Sequence, residues 1–536
     1  YTLWHTLSLH DALPILNLIS GFLVSALLGV GIDFEIHLYL RYLEQLTVQP
    51  TRTEAMRQAI NRTLPACIVA AGTTAAAFYA MTISDFRGFR EYGLIAGTGV
   101  LVTLVTTFVV LPPLALFLGR KGRPVKQVPP GGGFRRGVAW SMVIVGGVTL
   151  LLGIVYGKRV AWFNDFRKLR GDSPVAEFSD YVSDLLGGTL SPAAFHVRTL
   201  EQARRVERYI ERQAAQPGSN VGRHVSLGTL VPRDTARKMK LIRGIRAKLQ
   251  DVLEQDLTRE DRDKVKQALE LARVEPWAVA DVPAVFRNQF LTADGAGQFV
   301  IVWPAAPLFV GPEIMRWGRT LNRMRTELRA RGIPVQILDE NRLGARVLIK
   351  MRQDAPWVIT SGSIAVVLIL LLHFRNLWRV LMVGGALAVA LGWLAGALYQ
   401  GGIDIHVFNL AVIPTIIGLG IDNGVHIMHR YRQEGRGSLA KVVATTGAAS
   451  FLATATTAFG FGAAITASHA GIRSLGWLTI LGLTCAFLAS TALMPSVIRL
   501  LEERFPRLFF DRLPGPDPGA GEAPTPEGAD RPRSGA

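Results

Sequence analysis

The sequence predicts a polytopic α-helical membrane protein with an internal repeat and one large extracytoplasmic α/β domain. Three observations lead there. Of 536 residues, 49% are hydrophobic and only 19% charged, where soluble domains carry about a quarter, and the mean hydropathy is +0.28. Nine apolar stretches, at about 13–40, 66–83, 91–118, 138–157, 357–373, 378–400, 406–429, 442–467 and 473–500, approach or exceed the roughly 20 residues that a span requires. Finally, residues 29–42 (GVGIDFEIHLYLRY) recur at 418–431 (GLGIDNGVHIMHRY).

The repeat is in register over both halves. Asp33, His37, Arg41 and Tyr42 return 389 residues later as Asp422, His426, Arg430 and Tyr431. Downstream the offset becomes 383: Thr73 and Thr74 return as Thr456 and Thr457, Gly88 as Gly471, Arg90 as Arg473, Gly93 as Gly476 and Pro112 as Pro495.

Residues 1–13 break the pattern. Aligned by the first offset they face the end of an apolar span, yet carry His5, His10 and Asp11; they are expected to be a non-native leader and stay out of the fold argument. Residues 14–119 then supply the last three spans of the first repeat, 120–137 a cytoplasmic linker, 138–157 the first span of the second repeat, and 357–510 its other five. On this expectation the sequence is an N-terminally truncated fragment of a protein with twelve spans and two inserts. From 511 to 536 the chain is rich in Pro, Gly, Ala and acid; it is expected to be a disordered cytoplasmic tail, because such a composition buries no core.

The formal net charge of +18 does not call for nucleic acid. Arg120, Lys121, Arg123, Lys126, Arg135 and Arg136 fall in one connection, Arg375 and Arg379 in another, and Arg430, Arg432, Arg436 and Lys441 in a third. By the positive-inside rule these face the cytoplasm, and the alternate connections are poorer in basic residues. Cys67 and Cys485, the two cysteines, lie inside predicted spans and read as packing residues.

The insert at 158–356 follows an outward span and is expected outside the cytoplasm. Residues 193–199 read as a strand, 200–213 as a charged helix, 298–304 as an alternating strand, 312–331 as an amphipathic helix and 333–338 as a strand. The resulting βαβ unit is compatible with a ferredoxin-like subdomain. Residues 234–274 read as helix broken near 256–258, its basic face solvated or drawn to anionic headgroups.

Asp33 and Asp422 carry the strongest chemical signal. An acid within an apolar span is costly and marks a functional site, and this cost is met at corresponding places in both halves, the pattern of a transporter with its working site at the repeat interface. Each is a candidate to load and release a proton; the bland alternative is a polar contact between helices. Arg430 lies about 12 Å further along its helix, near enough to the end to snorkel. His37 and His426 stand one turn beyond the acids on the same helix face, and serve either as proton relays or as packing residues. Thr73, Thr74, Thr454, Thr456 and Thr457, with Asn423, are candidates to contact the acids or to pack helices. Glu35, two residues from Asp33, projects elsewhere. Gly29, Gly31, Gly418 and Gly420 fit close helix packing. No phosphate-binding loop, nucleotide motif or nucleophilic triad occurs, so neither an enzyme, a cofactor nor a metal is expected.

With these residues on the page, the chain resembles the resistance-nodulation-division (RND) superfamily, and within it the MMPL group of lipid and hydrophobe exporters. The resemblance rests on GIDFEIHLYLRYLE at 31–44 and GLGIDNGVHIMHRYRQE at 418–434, and its repeat-and-insert plan covers most of 17–510. It implies an RND-type fold with a porter-like external domain, in the bacterial cytoplasmic (inner) membrane. It also implies export of lipids or other hydrophobic molecules driven by the proton-motive force, with Asp33 and Asp422 as the proton-coupling pair. Membrane lipids or hydrophobic small molecules, protons and further copies of the chain are the implied partners. Phe34 and Asn423 stand where mycobacterial relatives carry tyrosine, so no Asp–Tyr relay transfers. The paired Asp-Asp of multidrug pumps is absent. The alternatives are a SecD/SecF-like auxiliary of protein export, whose Asp-Ala-Asn continuation is absent here, and a sterol-sensing lipid-binding protein, against which the paired acids stand.

Overall fold

Within a hydrocarbon layer a backbone must satisfy its own hydrogen bonds, so isolated apolar runs fold as helices. The computed structural model describes residues 23–118, 135–160, 174–185, 192–231, 234–275, 277–306, 308, 311–403, 405–406, 409–505 and 508–509. The expected leader, nearly all of the expected linker and the expected tail lie outside these residues. Among the described residues eight helices are long and apolar enough to cross a membrane: Arg52–Ile83, Arg87–Leu118, Arg136–Gly157, Ile349–Phe374, Leu377–Gln400, Asn409–Glu434, Leu439–Thr466 and Ala470–Arg504. The ninth apolar stretch begins outside the described residues, and its described part is the helix Leu23–Gln45.

The chain forms two units, Tyr1–Phe163 with Gln353–Ala467 and Gly471–Ala536, and Asn164–Arg352 with Ser468–Ala470. In chain order the longer elements are α1 (Leu23–Gln45), α2 (Arg52–Ala80), α3 (Arg87–Leu118), α4 (Arg136–Gly157), α5 (Pro174–Leu185), β1 (Ala193–Val197), α6 (Leu200–Ala214), β2 (Val221–Ser226), α7 (Thr235–Leu253), α8 (Arg259–Leu271), β3 (Gln298–Pro304), α9 (Gly311–Ala330), β4 (Gln336–Leu338), α10 (Glu340–Phe374), α11 (Leu377–Gln400), α12 (Asn409–Glu434), α13 (Leu439–Gly462), α14 (Ala470–Leu488) and α15 (Met494–Arg504).

In the helical unit α1 packs along α13, and α12 along α2. Both contacts depend on a glycine. A Cβ on Gly29 would stand 3.0 Å from the Thr457 Cα, and one on Gly418 would stand 3.1 Å from the Thr74 Cα, so a side chain here would push the helices apart by a few tenths of an ångström. Burial sorts the helices: 89% of the apolar window of α12 is buried against 17% for α4, which makes α12 central and α4 peripheral. Val105, Val109 and Phe117 of α3 and Leu151 of α4 remain exposed, as lipid-facing residues do. The core around α12 includes Val383, Leu387, Ile421, Val425 and Met428.

Two details differ from the sequence reading. The stretch read as the shortest span belongs to the long helix α10, whose polar first turns hid its length and which contains Pro356. There Asp354 accepts hydrogen bonds from the Ser84 hydroxyl and the Asp85 amide, each 3.0 Å, tying α10 to the turn after α2. Arg379, read as a loop cation, is 1% exposed; it donates to the carbonyls of Phe509 and Phe374 at 3.0 and 3.2 Å.

The second unit is built on a four-stranded sheet of order β2-β3-β1-β4, antiparallel at every junction. Phe195 stands opposite Val300 on one side and Ile337 on the other. Alternate residues of β1 and β3 are buried, the pattern of a sheet with one covered face. The cover is α6 and α9, which contribute Val206, Ile210, Trp317, Leu321 and Met324 and are joined by the Tyr209 hydroxyl donating to Glu327 at 2.9 Å. α6 begins at Thr199, whose hydroxyl accepts from the Gln202 amide. α7 and α8 bury no residue, so the basic face read in this stretch is exposed.

Candidate functional site

Asp33, His37 and Arg41 follow one another at four-residue spacing on α1, and Asp422, His426 and Arg430 do so on α12. Four-residue spacing lays such triplets along one helix face, and here the two faces meet. The His37 and His426 rings stack with centroids 3.9 Å apart and planes 9° from parallel. Both histidines are buried, at 7% and 6% exposure.

The aspartates are held crosswise. Thr457 of α13 donates from its hydroxyl to either oxygen of Asp33, 2.9 Å each, and the same hydroxyl lies 3.3 Å from the Gly29 carbonyl. Thr74 of α2 bears the same relation to Asp422, at 3.1 and 3.0 Å, and to the Gly418 carbonyl at 2.9 Å. The two offsets of the repeat exchange one arrangement for the other, so each half supplies the threonine that its counterpart's acid meets.

The other candidates separate. Thr73 donates to the Val69 and Ala70 carbonyls of its own helix, and Thr456 likewise to Leu452 and Ala453; each also stands near an acid, Thr73 by Asp422 and Thr456 by Asp33, as the lesser partner beside Thr74 and Thr457. Thr454 accepts from the Asn423 amide at 3.1 Å. Its counterpart by the repeat is Ala71, and that of Asn423 is Phe34, both buried, so one half is polar where the other is apolar. Asp33, Asp422, His37, His426, Asn423, Thr454 and Thr457 line one narrow cavity of about 20 Å³, room for a single water. Beyond the histidines lies a second cavity of about 290 Å³.

Sequence reasoning missed the charge cluster in the next turns. Arg430 was expected to reach the surface, but it and Arg41 are 6% and 7% exposed, because two glutamates hold them. Arg41 pairs with Glu44 at 2.8 Å and faces Glu434 at 3.7 Å; Arg430 pairs with Glu44 and, at 2.9 Å, with Glu434. Apart from this site, Glu207, Glu211 and His224 of the sheet unit are the group of ligand atoms close enough for a metal ion among the described residues.

The hopanoid transporter HpnN of Rhodopseudomonas palustris is 25% identical over 90% of this chain and 61% of its own. HpnN of Burkholderia multivorans is 24% identical over 90% of this chain and 60% of its own. The chain thus spans about six tenths of the length of these relatives. The fold is similar to that of SecDF, a translocon-associated membrane protein from Thermus, with a TM-score of 0.51 at 13% identity, covering 91% of this chain and 55% of that one. Residues 2–145 and 344–511, both sides of the sheet unit, match the MMPL family. The chain belongs to the MMPL family.

Proposed function

We propose that the protein exports lipids or other hydrophobic molecules and drives its cycle by proton exchange at Asp33 and Asp422. The crossed threonine–aspartate geometry carries this reading. A threonine hydroxyl has one proton to donate and can accept in return, and each of these two has a carboxylate and a glycine carbonyl within reach. With the acid ionised, the hydroxyl donates to it. Once the acid takes a proton, the carboxyl donates to the threonine oxygen and the hydroxyl turns to the glycine carbonyl. Each charge state leaves every donor with an acceptor, so the site changes charge without stranding a buried group. Because α1 and α13, or α2 and α12, share each exchange, the proton state is felt at the contact between helices of different repeats. His37 and His426, between the narrow cavity and the wider one, are set to hand protons onward.

The sheet order β2-β3-β1-β4 with two covering helices supports reading the second unit as a ferredoxin-like, porter-type domain on the outer side of the inner membrane. The hopanoid transporters among the relatives favour a lipid cargo. The likeness to SecDF, at 13% identity, bears on the fold alone.

The test uses the full-length protein in liposomes, with an entrapped pH dye and a hopanoid as cargo. An imposed proton gradient should drive transfer, and Asp422→Asn or Asp33→Asn should reduce it to background in protein that still inserts. Full transfer by Asp422→Asn, or transfer indifferent to the gradient, overturns the reading.

A further inference from the structure

We infer that the wider cavity is an aqueous vestibule and that Arg41, Glu44, Arg430 and Glu434 are its gate; the inference rests on the proton-exchange reading of Asp33 and Asp422. The cavity begins at the buried histidine stack, passes Thr63, Ala66 and the two arginines, and ends at Arg62 and Gln433, which are exposed. It therefore leads from the innermost titratable ring pair towards the surface, and about 290 Å³ accommodates several waters.

The lining calls for solvent. Among the described residues Nε and Nη2 of Arg41, Nε of Arg430 and Nδ1 of His429 are buried without a protein hydrogen-bond partner. A buried charged donor without an acceptor is strongly unfavourable, and water entering this cavity would supply the acceptor that these groups call for.

Arg41, Glu44 and Arg430 line the cavity, and Glu434 joins them through ion pairs. Glu44, from α1, is held by Arg430 of α12, while Glu434, from α12, faces Arg41 of α1; Lys441 adds a 2.6 Å contact to Glu434. At the rim, Gln433 donates to the Arg62 carbonyl at 2.8 Å and lies 2.9 Å from Nε2 of His429. The two repeats cannot part at this level without breaking these pairs. A buried ion cluster contributes little stability beyond what an apolar seal would. Unlike an apolar seal, it can be drawn apart into water without exposing apolar surface, which suits a contact that must open.

The experiment measures access, in the full-length protein with Cys67→Ala and Cys485→Ala. A membrane-impermeant charged methanethiosulfonate reports on Ala66→Cys inside the cavity and on Arg62→Cys at its rim. With the gate intact, Ala66→Cys should react slowly. Glu44→Gln with Glu434→Gln should speed that reaction by ~10-fold or more and leave the rim rate unchanged. Glu44→Gln alone is the milder variant should the pair fail to accumulate, with a smaller acceleration expected. An unchanged rate at Ala66→Cys, fast reaction before the gate is altered, or equal acceleration at both positions each overturns the gate. Since labelling does not depend on transport, gated access in a protein indifferent to the proton gradient would sink the proton reading alone. Gradient-driven export with ungated access would sink only this inference.

Discussion

Thr457 reaches both carboxylate oxygens of Asp33 from one hydroxyl, at 2.9 Å each, from a helix of the other repeat. The neighbouring hydroxyl, Thr456, donates to its own helix and is the lesser of the two threonine partners of Asp33.

Thr457→Val and Thr74→Val keep the shape but remove a donor to a charged group, a loss of about 1.5–3 kcal/mol. Gradient-driven transport in liposomes should fall roughly tenfold or more, while Thr457→Ser stays within about twofold and Thr456→Val, which removes the lesser contact, loses less than Thr457→Val. Equal effects of Thr456→Val and Thr457→Val would contradict the assignment.

The helix contacts predict a second contrast. Gly29→Val and Gly418→Val push a side chain into backbone 3.0 and 3.1 Å away, and overpacking of this kind costs about 1–3 kcal/mol. Thermal unfolding in detergent should show both destabilised. Gly147 on α4 has nothing within 4 Å of an added Cβ, so Gly147→Ala should be neutral or stabilising by about 0.5–1 kcal/mol.

Loss of one ring from the stack should slow transport without ending it. His426→Ala removes a relay group but leaves both acids and their threonines in place, so the rate is expected to drop and its pH profile to move. A variant as inactive as Asp422→Asn would mean that the imidazole is essential to the exchange itself.

The sheet unit offers a topological check. Glu260 sits on α8, none of whose residues is buried, and Glu260→Cys should react with an impermeant thiol reagent on intact cells. Reaction only after the cells are opened would put residues 158–356 on the cytoplasmic side.

The acids, histidines and arginines were legible in the sequence because an unfavourable pattern occurs twice. The division among the threonines was not, since adjacent helical positions point about 100° apart and only the partner helix decides which one meets the acid. The gate was hidden for a more particular reason. Glu44 aligns with Gln433, and Glu434 with Gln45, so the repeat that exposed the acids conceals the glutamates. In the sheet unit, β1, β3 and β4 lie within stretches read as strands, but β2, with the polar sequence VGRHVS, gave no alternating signal. It is a strand because it pairs with β3, across an irregularity between Val221 and His224.

The crosswise hold on the aspartates has a consequence for how such a chain could arise. A single repeat contains an acid and a threonine that cannot serve each other, since each requires its complement from a second copy. Either half taken alone would lack the partner that its acid uses here, and joining both in one chain lets the halves differ. Asn423 against Phe34 and the exchanged glutamate–glutamine positions are what one polypeptide can encode and two identical ones cannot.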